Sequence, residues 1–213
     1  MKLTKQTWLQ IALIIISFAI GLYLYPVLPQ SMATHWGIEG EANGFSSKNF
    51  GVFFLPILVS AIYLLLSFLP KIDPRKQNIA KFRPYYDNFI TIFLVFMLGV
   101  YVFSLAWNLG YQWNIMRFMS AAFAALIFFI SRLMEHAEPN WTIGIRTPWT
   151  MSNDIVWTKT HELGSKIYRF ISGLALFGVV WPNYSFLYIF IPLIVSSLYL
   201  VIYSYLEYRK ATK

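Results

Sequence analysis

The sequence predicts an all-α polytopic membrane protein: six transmembrane helices, both termini cytoplasmic, and an interfacial segment between helices four and five. Three observations carry this. Hydrophobic residues make up 58% of the 213 residues and charged residues only 12%, too little charge to cover a soluble domain of this size. Apolar stretches suited to crossing about 30 Å of hydrocarbon as helices recur six times. Lys and Arg are also divided very unevenly between the two sets of connecting loops.

The spans are expected at 8–28, 50–69, 89–107, 115–133, 166–180 and 185–206. The first is read as a retained helix, because it lacks a small-residue cleavage site and further spans follow. Trp8, Tyr23 and Tyr25 suit the two headgroup belts. The fifth is the shortest and is expected to begin earlier, with Tyr168 and Arg169 at its interface end. Ser120, Ala121, Ala122, Ala124 and Ala125 in span four face Ser172, Gly173 and Gly178 in span five as small residues that permit close helix approach. Pro192 is expected to bend span six, with Ser196 and Ser197 bonding locally.

Orientation follows from the basic residues. Only Lys48 and, at the end of span four, Arg117 belong to the odd-numbered set of connections; every other Lys and Arg lies at the termini, in 70–88 or around 132–169. The positive-inside rule therefore puts those regions in the cytoplasm and the loops 29–49, 108–114 and 181–184 outside. The net charge of +8 is spread over short loops, which fits retention at an anionic membrane and argues against direct nucleic-acid binding. Cysteine is absent, so disulfides and thiolate metal sites are excluded. Three units are expected: 1–69, a two-helix unit with the outward loop; 70–133, spans three and four with the basic cytoplasmic loop; and 134–213, an interfacial segment with spans five and six.

The outward loop carries His35, Trp36, Glu39, Glu41 and Lys48 among Gly37, Gly40 and Gly44. Such glycine spacing predicts turns. One reading gives His35 with Glu39 or Glu41 a metal or an external ligand. The other is a compact polar turn anchored by Trp36 and Phe45, and a single His is a poor zinc signature. In the loop 70–88, Pro70, Pro74 and Pro84 are expected to break any long helix, and its basic residues to touch anionic lipid.

The organising stretch is 140–164, NWTIGIRTPWTMSNDIVWTKTHELG. Gly144 permits a tight path, and Pro148 holds Thr147 extended, so Arg146 is presented on fixed, non-helical backbone. A helix is expected to start at Ser152 or Asn153, with Asp154 in its first turn. Trp157 and His161 share a helical face near Gly164, and Trp141, Trp149 and Trp157 are expected in the headgroup belt. The stretch reads as a collar closing the cytoplasmic side. A catalytic reading would have to use His136, His161, Glu135, Glu138, Asp154 or Glu162. No HExxH motif, nucleophile elbow or P-loop is present. No Asp, Glu, Lys or Arg falls near the midplane of a span, which weakens ion-coupled transport.

The run IGIRTPWT at 143–150, followed at fixed spacing by Trp157 and then Thr160, His161 and Gly164, resembles the signature of the SdpI family of bacterial membrane proteins. Pro29, Thr34, His35, Trp36, Gly40, Gly44, Ser47 and Lys48 resemble a domain of unknown function that precedes the signature in this family. The resemblance implies Asn140, Gly144, Arg146, Thr147, Pro148, Trp149, Trp157, Thr160, His161 and Gly164 as characteristic positions, without naming chemistry for them. It implies a non-enzymatic protein of the bacterial cytoplasmic membrane, with no cofactor, that confers immunity to a secreted peptide toxin. Expected partners are membrane lipids, a peptide toxin outside and a small transcriptional repressor held inside. Arg146, Trp149, Trp157 and His161 would form the inner surface, and His35, Trp36 and Lys48 the outer. The alternatives are a small-solute or lipid transporter and a membrane-embedded enzyme with a metal near His136 and His161.

Overall fold

The computed structural model describes residues 4–212. Among them, six helices are long and apolar enough to cross a membrane: Lys5–Val27, Lys48–Ile72, Arg83–Asn108, Ile115–His136, Asp154–Val180 and Pro182–Ala211. The first comprises α1 (Lys5–Leu24) and a 3-10 turn; the next three are α2 (Lys48–Ile72), α4 (Arg83–Asn108) and α5 (Ile115–His136). The fifth is α7 (Asp154–Ala175) continued by α8 (Phe177–Val180), and the sixth ends in α9 (Ser185–Ala211). Two short helices, α3 (Lys76–Lys81) and α6 (Pro148–Ser152), lie between spans. With six crossings, both ends of the chain, α3 and α6 share one end of the bundle, here the signature end.

Local chemistry explains where the spans start. Asn153 accepts the backbone N–H groups of Ile155 and Val156, and Asp154 occupies the first turn. The N-cap and the early start of span five thus match the sequence, and the helix runs 12 residues ahead of the expected 166. Pro84 stands in the first turn of α4, where its missing N–H costs nothing. It therefore starts the third span at Arg83 instead of breaking it, and Pro70 likewise falls within the end of α2.

The connection 29–49 departs from the turn expected there. It is an antiparallel hairpin, β1 (Ser31–Trp36) with β2 (Ala42–Ser47), irregular around His35. Met32 and Ala33 are completely buried. Asn108, the last residue of α4, takes the place of a third strand: its Oδ1 accepts Ala33 N–H at 2.7 Å and its Nδ2 donates to Ala33 O at 3.0 Å.

The spans pack in two sequential groups of three, α1–α2–α4 and α5–α7/α8–α9, joined by the α4–α5 interface. The expected close approach of spans four and five is present. A Cβ on Gly178 would fall 2.3 Å from Ser120 Oγ, and Ser120 donates to Ser185 Oγ at 2.8 Å. Ala124, Ile127, Ile171, Ala175 and Ile189 form the core of this half. Gly173, by contrast, faces open space. A second core at the signature end crosses both groups: Tyr63, Ile79, Phe82, Tyr86 and Ile90 pack with Leu133, Ala137, Ile143 and Trp157.

Candidate functional site

The signature segment leaves α5 at Ala137 and turns on Asn140, whose side chain is completely buried. Its Oδ1 accepts the N–H groups of Thr142 at 2.9 Å and Ile143 at 2.6 Å, and its Nδ2 donates to the carbonyls of Glu138 and Ile143, each at 2.8 Å. An amide is the side chain that supplies two acceptor and two donor directions at once. The turn is then fastened to the other half of the bundle by Asp73, a buried carboxylate at the end of α2. Asp73 Oδ2 accepts Trp141 N–H at 2.9 Å and Thr142 Oγ1–H at 2.8 Å, while Oδ1 accepts Arg75 N–H at 2.7 Å. Asn78 Nδ2 adds a bond to Pro139 O at 2.7 Å.

Beyond the turn the chain lies flat on α7. Gly144 has φ +119°, and a Cβ there would sit 2.4 Å from His161 Nε2 and 3.3 Å from the Trp157 ring. Only glycine meets both demands. The His161 and Trp157 rings stack at 4.1 Å, and Trp157 Nε1–H donates to Ala137 O at 2.7 Å. Trp157 is 1% exposed, which corrects its expected place in the headgroup belt: its helical face, shared with Val156, Thr160, His161 and Gly164, points inward. Trp141 is exposed, and Trp149 packs on Tyr205 with ring centres 5.1 Å apart.

Backbone partners on both sides define the imidazole. Ile145 N–H donates to Nε2 at 2.9 Å, so Nε2 carries a lone pair; the Trp157 carbonyl at 2.9 Å from Nδ1 accepts, so Nδ1 carries the proton. Both ring nitrogens are therefore committed to backbone. Thr147 and Thr150 form a capping box at the start of α6, with Pro148 as its first residue, and Thr147 Oγ1 lies 2.9 Å from Ser204 Oγ of α9. Gly164 lets Ile145 Cδ1 and Leu200 Cδ1 approach α7. Thr160 is fully buried, and its hydroxyl has no partner among the described residues.

What the segment presents outward is small. Arg146 is exposed, with its guanidinium donating to the Trp141 carbonyl. One donor group is anchored and the remaining N–H groups of the fork point away from that bond, suited to a carboxylate, phosphate or carbonyl. A polar cavity of about 350 Å³ opens beside the segment, lined by Tyr85, His136, Glu138, His161 and Glu162 among others. His136 stacks on Tyr85 at 3.5 Å and bonds Arg132 O through Nδ1. Glu135 is held by Arg132 and Arg169, each at 2.7 Å. Among the described residues, no group of three or more His, Cys, Asp or Glu is arranged to hold a metal ion.

At the opposite, hairpin end, His35 Nδ1 lies 2.6 Å from Asn43 Oδ1, and Asn43 Nδ2 donates to Glu41 Oε1 at 3.4 Å. Glu39 is exposed. Trp36 meets Phe103 and Trp107 edge-on. Lys48 is buried, donating to Tyr25 O at 3.0 Å with its ammonium over the Tyr25 ring. The two sets of sequence-predicted residues thus lie at opposite ends of the bundle. Sequence reasoning missed Asp73, Asn78 and Asn108, and the only sign of Asp73 was an acidic residue among the basic residues and prolines that follow α2.

Residues 136–204 match the SdpI/YfhL protein family, and residues 12–59 match a domain of unknown function, DUF1648. The chain is 27% identical over 163 residues to the Immunity protein SdpI of Bacillus subtilis (strain 168), covering 76% of each chain. No solved structure matches. The first match takes in the second half of α1, the hairpin and the first half of α2; the second takes in the whole signature segment with α7 and most of α9. With these two matches on a six-span architecture, the chain is a multi-pass protein of the bacterial cytoplasmic membrane that is similar to the SdpI/YfhL family over residues 136–204.

Proposed function

We propose that this protein confers immunity to a secreted antimicrobial peptide toxin, acting by binding and not by catalysis. The observation that carries the reading is the likeness to an immunity protein over three quarters of both chains. The signature chemistry supports it. Asn140, Asp73, Thr147 and His161 spend their polar atoms inside the fold, so the segment is a rigid mount for Arg146 and Trp141 more than a set of reacting groups. The orientation inferred from the basic loops places this mount at the cytoplasmic face and the hairpin outside. On this reading the hairpin end meets the peptide. The Arg146 surface reports to a cytoplasmic partner, a small transcriptional repressor, whose acidic or carbonyl groups the guanidinium fork would bind.

The test is expression in a sensitive host challenged with peptide toxins from neighbouring bacteria. Protection is the expected result, and Arg146→Ala abolishes it while the amount of protein in the membrane stays unchanged. Protection lost only in parallel with abundance would make Arg146 a structural residue and defeat its role in recognition. Full sensitivity of the host expressing the wild-type chain, across a broad peptide panel, would defeat the immunity reading.

A further inference from the structure

The second span, α2, crosses the bundle with two prolines inside it, Pro56 and Pro70. Each lacks the N–H that would bond the carbonyl four residues back, so Val52 O and Leu66 O lose their intrahelical donors. In hydrocarbon such a carbonyl must be satisfied within the protein. Both are, by buried tyrosines of α4: the Tyr101 hydroxyl donates to Val52 O at 2.9 Å, and the Tyr86 hydroxyl to Leu66 O at 2.7 Å. The two prolines lie about four turns apart, so both gaps face the same neighbour. Gly21 of α1 leaves room for the Tyr101 hydroxyl, which a Cβ there would strike.

Neither end of α2 has slack. Ser47 closes β2 and caps the first turn of α2, and Met32 of β1 lies against Gly51. The residue after Ile72 is Asp73, which accepts Trp141 N–H and Thr142 Oγ1–H. Trp141 O in turn holds the Arg146 guanidinium. Two open proline breaks would let such a helix bend and absorb a push at either end. With both breaks bonded to α4, the two helices move as one body. We infer that α2 is a stiffened strut that carries a displacement of the hairpin to the signature segment, with Tyr101 and Tyr86 as its positioning residues. Packed side chains and rigid elements of this kind are what carry coupling between distant sites. The use of the strut rests on the proposed division between a hairpin that meets a peptide and an Arg146 surface that reports it. The strut itself is measurable with no peptide present.

Hydrogen exchange in the full-length protein, held in lipid nanodiscs, tests the coupling. Gly51→Ala sets a Cβ 2.9 Å from Met32 Sδ and wedges the hairpin from α2. Exchange at the Trp141 and Thr142 amides should change by about fivefold or more, while Ile171 and Ile189, in the core of the other half, stay as they were. Asn108→Ala, which releases Ala33 without touching α2, is a second way to disturb the hairpin and should act alike. In a Tyr86→Phe, Tyr101→Phe background the rings remain and only the hydroxyls are gone, and there Gly51→Ala should no longer reach Trp141. Gly21→Ala, which displaces the Tyr101 hydroxyl, should weaken the coupling without altering either tyrosine. Unchanged Trp141 exchange in both hairpin variants overturns the proposal. So does an equal change at Ile171 and Ile189, which would mean general loosening, or an effect of Gly51→Ala as large without the two hydroxyls as with them. Protection of a sensitive host bears on the immunity reading alone, so the two can fail separately.

Discussion

His161 Nε2 receives the backbone N–H of Ile145 at 2.9 Å, so a helix side chain of the fifth span serves as the hydrogen-bond partner of a stretch that has no secondary structure of its own. The bond needs the neutral imidazole with its proton on Nδ1. In nitrogen NMR at neutral pH, His161 should show one protonated and one unprotonated nitrogen, the latter Nε2. His161→Ala leaves the half-buried Ile145 N–H without its acceptor and removes the ring stacked on Trp157. A loss of about 2–4 kcal/mol in unfolding free energy is expected. A variant as stable as the parent would show that the segment is held without this bond.

Gly144 answers to the same ring. Gly144→Ala meets His161 Nε2 at 2.4 Å from a backbone at φ +119°, and should cost at least about 2 kcal/mol. Because half of that conflict is with the imidazole, combining it with His161→Ala should cost less than the sum of the two. Thermal unfolding of the two single variants and the double variant measures the coupling, and strict additivity would mean that φ alone is responsible.

Much of this arrangement can be read from residue types, and the rest cannot for definable reasons. Hydropathy locates the spans because lipid demands it. Asn153 and Asp154 declare the start of the fifth helix because capping is local. The face shared by Trp157, Thr160, His161 and Gly164 is visible as three- and four-residue spacing. Placing Trp157 at the headgroups failed because a habit of tryptophans in general was set above the helical face of this one. The hairpin was missed because ANGFSS has neither alternation nor branched residues, and the other strand is completed at Ala33 by a side chain, Asn108, 75 residues away in sequence. Asp73 acts 68 residues from the amide it accepts, and no local rule connects them.

Asp73 is expected to set how tightly the signature segment is held to the first half of the bundle. Asp73→Ala removes the acceptor of Trp141 N–H and Thr142 Oγ1–H. Hydrogen exchange at the Trp141 amide should accelerate about tenfold or more, while amides in the middle of α4 stay unchanged. Asp73→Asn keeps one oxygen and turns an amide against the remaining donors, so its effect should lie between parent and alanine. Equal exchange in all three proteins would place the fastening at Asn78 and Pro139 instead.

The contact of the fourth and fifth spans rests on Gly178. Its missing Cβ leaves room for Ser120 Oγ and Ser185 Oγ, which would otherwise lie at 2.3 and 2.6 Å. Gly178→Ala should therefore force α8 away from α5 and lower stability by about 1–3 kcal/mol. The second change Ser120→Ala removes the nearer oxygen and should recover part of that loss, although it also removes the 2.8 Å bond to Ser185. Unfolding in a fixed detergent, compared across the parent, both single variants and the double variant, separates the two effects. If Ser120→Ala gives no recovery, the conflict at Gly178 lies with Ser185 and the start of α9.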